Sequence, residues 1–148
     1  MNAADVPAGP VLVDTDVASW LLRDPVAAQP WVALVRGRLL ALSFVNVGEL
    51  LALAHAKRWG EPRREQWAAS IRSNFVVLPY SGSLAETWAP LHIKYRGHLQ
   101  RGGANDLWVA ASALAADPVL PLATGNLSDF SKIAADHPLQ LVHPELPA

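Results

Sequence analysis

The feature that most restricts the fold is a rhythm: short apolar runs that end in polar turns alternate with longer stretches of helical spacing. Val11-Leu12-Val13 ends in Asp14-Thr15-Asp16, and Val17 to Leu22 then takes up helical spacing. Pro25 and Pro30 interrupt this stretch, and a second short helix is expected from Trp31 to Arg38. The next apolar run, Leu39 to Phe44, precedes a helix opened by Asn46-Val47-Gly48-Glu49 and continuing to about Arg58, where Asn46 and Glu49 resemble a capping box. Gly60 ends that helix, and Pro62 suits the first turn of another that runs through Ile71. Phe75 to Leu78 reads as a strand closed by Pro79. Ser83 to about His98 reads as a helix that Pro90 should kink or split, and Arg101-Gly102-Gly103 as a flexible loop. Asn105 to Leu114 is helical, with Asn105 as its cap and Asp106 the one carboxylate of an otherwise apolar segment, so this helix must be buried. Val119 to Ala123 is a strand, Thr124-Gly125-Asn126 a turn, Leu127 to Ala135 a helix and Leu139 to Val142 a last strand.

Strands alternating with helices imply an α/β fold whose mainly parallel sheet is covered on both faces. With 51% hydrophobic and 17% charged residues, the 148-residue chain can build a core as a single domain over 1–148. It has no cysteine, which excludes a disulfide framework, a thiolate zinc site and a cysteine nucleophile. Met1 to Pro10 lacks a targeting pattern and no stretch is long enough to span a membrane, so a cytoplasmic protein is expected. The net charge is −1, but Lys57 to Arg101 holds eight basic residues against three acidic ones, +5 against −6 elsewhere. Such asymmetry fits a side that faces a polyanion next to an acidic pocket, and equally a solvated helical face.

Right-handed crossovers bring strand C-termini and the helix N-termini that follow them to one sheet edge, where open α/β sheets bind ligands. Asp14, Asp16, Glu49, Asn126 and Asp129 all fall at such junctions, and Asp106, at a helix start, can join them. Each carboxylate taken singly can be a cap or a strand end. Gathered together they repel one another, and a divalent cation removes that penalty. Mg²⁺ and Mn²⁺ prefer hard oxygen ligands and leave room for a phosphodiester oxygen and an attacking water, so metal-assisted phosphodiester hydrolysis is the chemistry that fits. Thr15, Ser43 and Thr124 stand where hydroxyls can orient the carboxylates, or simply close local turns. His55, His92, His98, His137 and His143 have no metal-ligand spacing and read as surface or satisfied structural residues. Trp20 and Trp108 read as core; Trp59 and Trp67, beside Arg58, Arg63 and Arg64, can pack internally or meet RNA bases or a partner helix.

Four segments, Val11–Asp16, Ser43–Leu50, Asn105–Ala111 and Ala123–Phe130, resemble in order and spacing the acidic motifs of PIN-domain ribonucleases, most closely the VapC-type toxins of type II toxin–antitoxin systems. The resemblance runs from Val11 to about Val142. It implies a three-layer α/β/α sandwich and Mg²⁺-dependent endoribonuclease activity, with Mn²⁺ substituting, on structured RNA such as tRNA or rRNA. It also implies a small cognate VapB-like antitoxin and a homodimer. Asp14, Glu49 and Asp106 carry over as metal ligands and catalytic residues. Asn126 stands where an Asp is common, which leaves Asp129 as the candidate fourth carboxylate, with Asp16, Thr15, Asn126 and Thr124 as additional ligands or supporting groups.

Two other readings stand beside this one. Asp14-Thr15-Asp16-Val17 fits the signature of haloacid-dehalogenase-type phosphatases with Asp14 as nucleophile and Lys132 as the later lysine, but it leaves Glu49 and Asp106 without a role. A non-catalytic RNA-binding or interaction domain would gain nothing from carboxylates facing phosphate.

Overall fold

The computed structural model of the chain describes residues 9–100 and 104–146, so the Arg101-Gly102-Gly103 loop and residues 1–8 lie outside the described residues. Five strands, β1 (Val11–Val13), β2 (Leu40–Leu42), β3 (Val76–Val77), β4 (Leu122–Ala123) and β5 (Leu141–Val142), form one sheet in the order β3-β2-β1-β4-β5, and every pairing is parallel. Seven helices are described: α1 (Thr15–Arg23), α2 (Pro25–Val35), α3 (Phe44–Ala56), α4 (Glu61–Asn74), α5 (Gly82–Tyr95), α6 (Ala104–Ala115) and α7 (Leu127–Ala134).

The pleat of β1 explains the layering. Successive side chains leave a strand on opposite faces. Leu12 packs with Leu84 and Leu91 of α5, Leu107 and Val109 of α6, and Phe130 and Ile133 of α7. Val11 and Val13 pack with Val17 of α1, Trp31 and Leu34 of α2, Leu50 of α3, and Trp67 and Ile71 of α4. All three β1 residues are fully buried, as a central parallel strand with helices on both faces requires. The result is an α/β/α sandwich. No helix of the described residues is long and apolar enough to cross a membrane.

Several boundaries differ from the sequence expectation. Helix α2 starts at Pro25 and runs through Pro30, and α5 runs through Pro90 to Tyr95. Both prolines are exposed, and the carbonyls they leave without an amide partner belong to the exposed residues Val26 and Glu86, where solvent can reach them. Gly97, with φ of +81°, turns the chain after α5 and ends the helix short of His98. At α3 the cap is Ser43 rather than Asn46: the Ser43 side chain accepts from the Asn46 amide and the Asn46 side chain accepts from the Ser43 amide, a capping box one turn earlier than expected. This leaves Glu49 free of capping duty in the second turn.

Candidate active site

Strand order 3-2-1-4-5 reverses direction between β1 and β4, so the crevice beyond their C-terminal ends is where this sheet binds ligands. Asp14 follows β1 and Thr124 follows β4, and the Thr124 hydroxyl donates to Asp14 Oδ2 at 2.8 Å across that point. Asp14 also caps α1, with Oδ1 accepting from the Thr15 amide at 2.9 Å and from Asn46 Nδ2 at 3.3 Å. Helix α3 brings in Glu49. Its Oε1 accepts from the Thr15 hydroxyl at 2.6 Å and its Oε2 from Asn105 Nδ2 at 3.3 Å. Asp106, in the first turn of α6, and Asp129, in the first turn of α7, are bridged by one amide: Asn126 Nδ2 donates to an oxygen of each at 3.2 Å. Asp129, buried, also accepts from the Gln100 amide and lies 3.8 Å from Lys132 Nζ, which donates to the His98 carbonyl.

These side chains line a cleft of about 530 Å³ formed by Asp14, Thr15, Asp16, Glu49, Gln100, Ala104, Asn105, Asp106, Asn126 and Asp129. Its electrostatics follow from five carboxylates, with no cationic side chain among the described residues that line it. Burial pushes the Asp14 carboxyl up to about 6, partly opposed by the Thr124 and Thr15 hydrogen bonds. Asp106 is pushed up to about 7, first by burial and then by the charges of Asp14, Asp129, Glu49 and Asp16. Among the described residues no three His, Asp or Glu side chains stand preassembled as a metal cage. The cleft is an open basin of hard oxygen donors.

Of the expected site residues, Asp14, Thr15, Asp16, Glu49, Asp106, Asn126 and Asp129 line the cleft, and Thr124 is buried behind Asp14. Arg58, Trp59, Arg63, Arg64 and Trp67 do not. Trp67 is a core residue rather than a surface for RNA or a partner: it is 7% exposed, its Nε1 donates to the Leu50 carbonyl at 2.7 Å, and its ring meets Trp59 edge to face. Arg63 lies 3.9 Å over the Trp59 ring and Arg64 donates to the Trp59 carbonyl, so these arginines brace the α3–α4 corner. The histidines are not all satisfied: His92 Nδ1 and His137 Nε2 are buried and find no hydrogen-bond partner among the described residues. Sequence reading missed Asn46, Asn105 and Gln100 as parts of the site. The first was detectable, because Ser43-x-x-Asn46 is itself a capping-box spacing.

The PIN domain family model matches residues 11–135 of this chain. The chain belongs to the PIN-domain family. A relative, Ribonuclease VapC10 of Mycobacterium tuberculosis, is 36% identical over 121 residues, 81% of this chain and 85% of the relative. Among solved structures, the toxin–antitoxin complex VapBC-5 of Mycobacterium tuberculosis matches with a TM-score of 0.63 and 27% identity over 93% of this chain and 99% of that one. VapBC2 of Rickettsia felis, solved bound to a DNA fragment from its promoter, matches with a TM-score of 0.70 over 90% and 97%, at 17% identity that speaks for the fold alone. This PIN domain is thus a nuclease, a hydrolase of VapC type. The phosphatase reading falls with it, and the site agrees: both Asp14 oxygens are held by hydrogen bonds, and Lys132 is engaged with Asp129 and the His98 carbonyl.

Proposed function

We propose that this PIN domain, acting as one unit over residues 1–148, is a Mg²⁺-dependent endoribonuclease that cuts structured RNA such as tRNA or rRNA, with Mn²⁺ able to substitute. The observation that carries the reading is the cleft itself, which gathers five carboxylates and pushes two of them up toward neutrality. The donor set fits Mg²⁺: all oxygen, open, and short of a full cage, which suits an ion that keeps several waters and takes one or two protein carboxylates. Asp14, Glu49 and Asp106 would hold it, with Asp129 as the buried fourth carboxylate and Asp16 at the exposed rim. When bound, the ion would lower the pKa of a water and offset the charge that develops at phosphorus.

The chain's own residues do the positioning. Thr124 and Thr15 each direct a hydroxyl proton at a carboxylate oxygen and so hold Asp14 and Glu49 as acceptors. Asn126 lets Asp106 and Asp129 approach by placing an amide between them. Asp16 is exposed at the start of α1, where it faces the entering polyanion and favours binding through a cation rather than directly.

In the cell this protein would be the toxin of a pair, held inactive by a small VapB-like antitoxin, as a homodimer in the cytoplasm; VapBC complexes among its structural relatives support the pairing with an antitoxin. The test is incubation of purified protein with total RNA, with and without Mg²⁺, followed by mapping of new ends. Defined ends that require the cation support the proposal; RNA retained but never cut would support a binding domain instead.

A further inference from the structure

Asn46 sits at 0% exposure behind the cleft, in the first turn of α3, and its side-chain amide reaches Asp14 at the end of β1 and Thr15 at the start of α1. We infer that Asn46 is a positioning residue whose amide sets the hydrogen-bond direction that holds Glu49 and Asp14 together, through Thr15. The inference rests on the proposed cation-dependent activity for its functional readout, and on hydrogen-bond geometry for its content.

The available protons fix the direction of each bond. Asn46 Oδ1 accepts from the Ser43 amide at 3.0 Å and from the Ser43 hydroxyl at 2.7 Å, while Ser43 Oγ accepts from the Asn46 amide at 3.1 Å. An amide carbonyl that faces two donors cannot be turned around, because the flipped group would put NH₂ against an N–H and a carbonyl against a carboxylate. Asn46 Nδ2 is therefore aimed outward, with one hydrogen for Asp14 Oδ1 at 3.3 Å and one for Thr15 Oγ1 at 3.0 Å. The Thr15 hydroxyl carries a single proton. Since it accepts from Asn46, that proton goes to Glu49 Oε1, at 2.6 Å. The chain Ser43 to Asn46 to Thr15 to Glu49 runs one way only. It links β1–α1, which carry Asp14 and Thr15, to α3, which carries Glu49, so two carboxylates from separate elements share one buried donor system. Groups that orient metal-holding side chains in this way change affinity or activity by roughly 10–100-fold when removed.

The experiment compares wild type with Thr15→Val, Thr15→Ser, Asn46→Ala and the double variant Asn46→Ala/Thr15→Val. It reads the Mn²⁺ dissociation constant by titration calorimetry, kcat and KM on a mapped RNA substrate, and the metal-free melting temperature. Thr15→Val keeps the side-chain shape and removes the hydroxyl. It is expected to weaken Mn²⁺ binding roughly tenfold or more and to lower kcat with KM nearly unchanged, in a protein that still folds and whose melting temperature falls only by what one lost hydrogen-bond acceptor for Asn46 costs. Thr15→Ser restores most of the loss. Asn46→Ala gives a comparable functional loss, and the double variant is no worse than Asn46→Ala, because both changes cut one relay. If Asn46→Ala does not fold, the Val and Ser pair at Thr15 decides alone. Wild-type Mn²⁺ affinity and kcat in Thr15→Val, or losses that multiply in the double variant, would overturn the inference. A wild type that binds Mn²⁺ but cuts no RNA would sink the proposed function while the Mn²⁺ comparison still judges the relay; one that binds no Mn²⁺ overturns both.

Discussion

Asp14 and Asp106 are the two cleft carboxyls that their surroundings push upward. Both carboxyls lie above the 3.8 of an unperturbed Asp, at about 6 and about 7, with burial the first cause of each. A carboxyl whose folded pKa is raised holds its proton more tightly folded than unfolded, so its contribution to stability is complete below about pH 4 and is lost as pH rises through the folded value. The metal-free protein should therefore lose melting temperature between about pH 4 and 8, and saturating Mg²⁺ should remove the upper part of that slope. Asp106→Asn should raise the metal-free melting temperature at pH 8, since the amide carries no charge among four carboxylates. After discounting for the exposed part of Asp106, the gain is about 1 kcal/mol, or roughly 2–4 °C in a chain of this size. An unchanged or lower melting temperature would mean that repulsion at this position is not felt. Asn126 belongs at the same scale. Its carbonyl turns to the Asp129 amide and its NH₂ to two carboxylates, so it offers the cleft a donor rather than a ligand oxygen. Asn126→Asp would replace that donor with a further charge. Metal-free thermal melts should show a loss of roughly 1–3 kcal/mol that Mg²⁺ largely reverses, whereas a loss that Mg²⁺ leaves intact would point to a capping role alone.

The helices explain why the site could be read in outline but not in detail. Apolar runs such as Val11–Val13 are buried through and through and announce themselves, as do the carboxylates that follow them. Helix starts were harder. Pro25 does part α1 from α2, but Pro30 and Pro90, which read as breaks because proline removes an amide donor, lie inside helices: their faces are exposed, so water can reach the freed carbonyls, and tertiary packing holds the helix. The sequence expectation places the α3 cap three residues late, because Asn46 is as good a cap as Ser43 on propensity; the Ser43-x-x-Asn46 spacing offers the alternative, and the burial of Asn46 against Asp14 and Thr15 decides for it. The Trp59–Trp67 corner was equally open in sequence: an indole beside arginines suits RNA or a core, and the buried Nε1 bond to Leu50 settles it for Trp67. Trp67→Ala should cost about 3–5 kcal/mol in urea unfolding, the penalty of a large core truncation. A cost below about 1 kcal/mol, typical of surface changes, would contradict its placement in the α3–α4 core.

At the scale of the whole molecule, one parallel sheet whose strand order reverses between β1 and β4 brings together residues as distant in sequence as Asp14 and Asp129. Helices α1, α3, α6 and α7 each point an N-terminal region at the same crevice, so the fold concentrates carboxylates where helix dipoles favour negative charge, and where a cation completes the balance. The family match from 11 to 135 and the cleft lead to one central claim: this acidic crevice is a cation-dependent RNA-cleaving centre. The measurement that bears on it most directly is the rate of cleavage at one mapped RNA site, in Mg²⁺, by wild type, Asp14→Asn and Asp106→Asn proteins matched for folding by circular dichroism. The account predicts that both variants lose at least about 100-fold in rate, since each forfeits several kcal/mol of charge stabilisation in the transition state. Wild-type rates from both folded variants would contradict it.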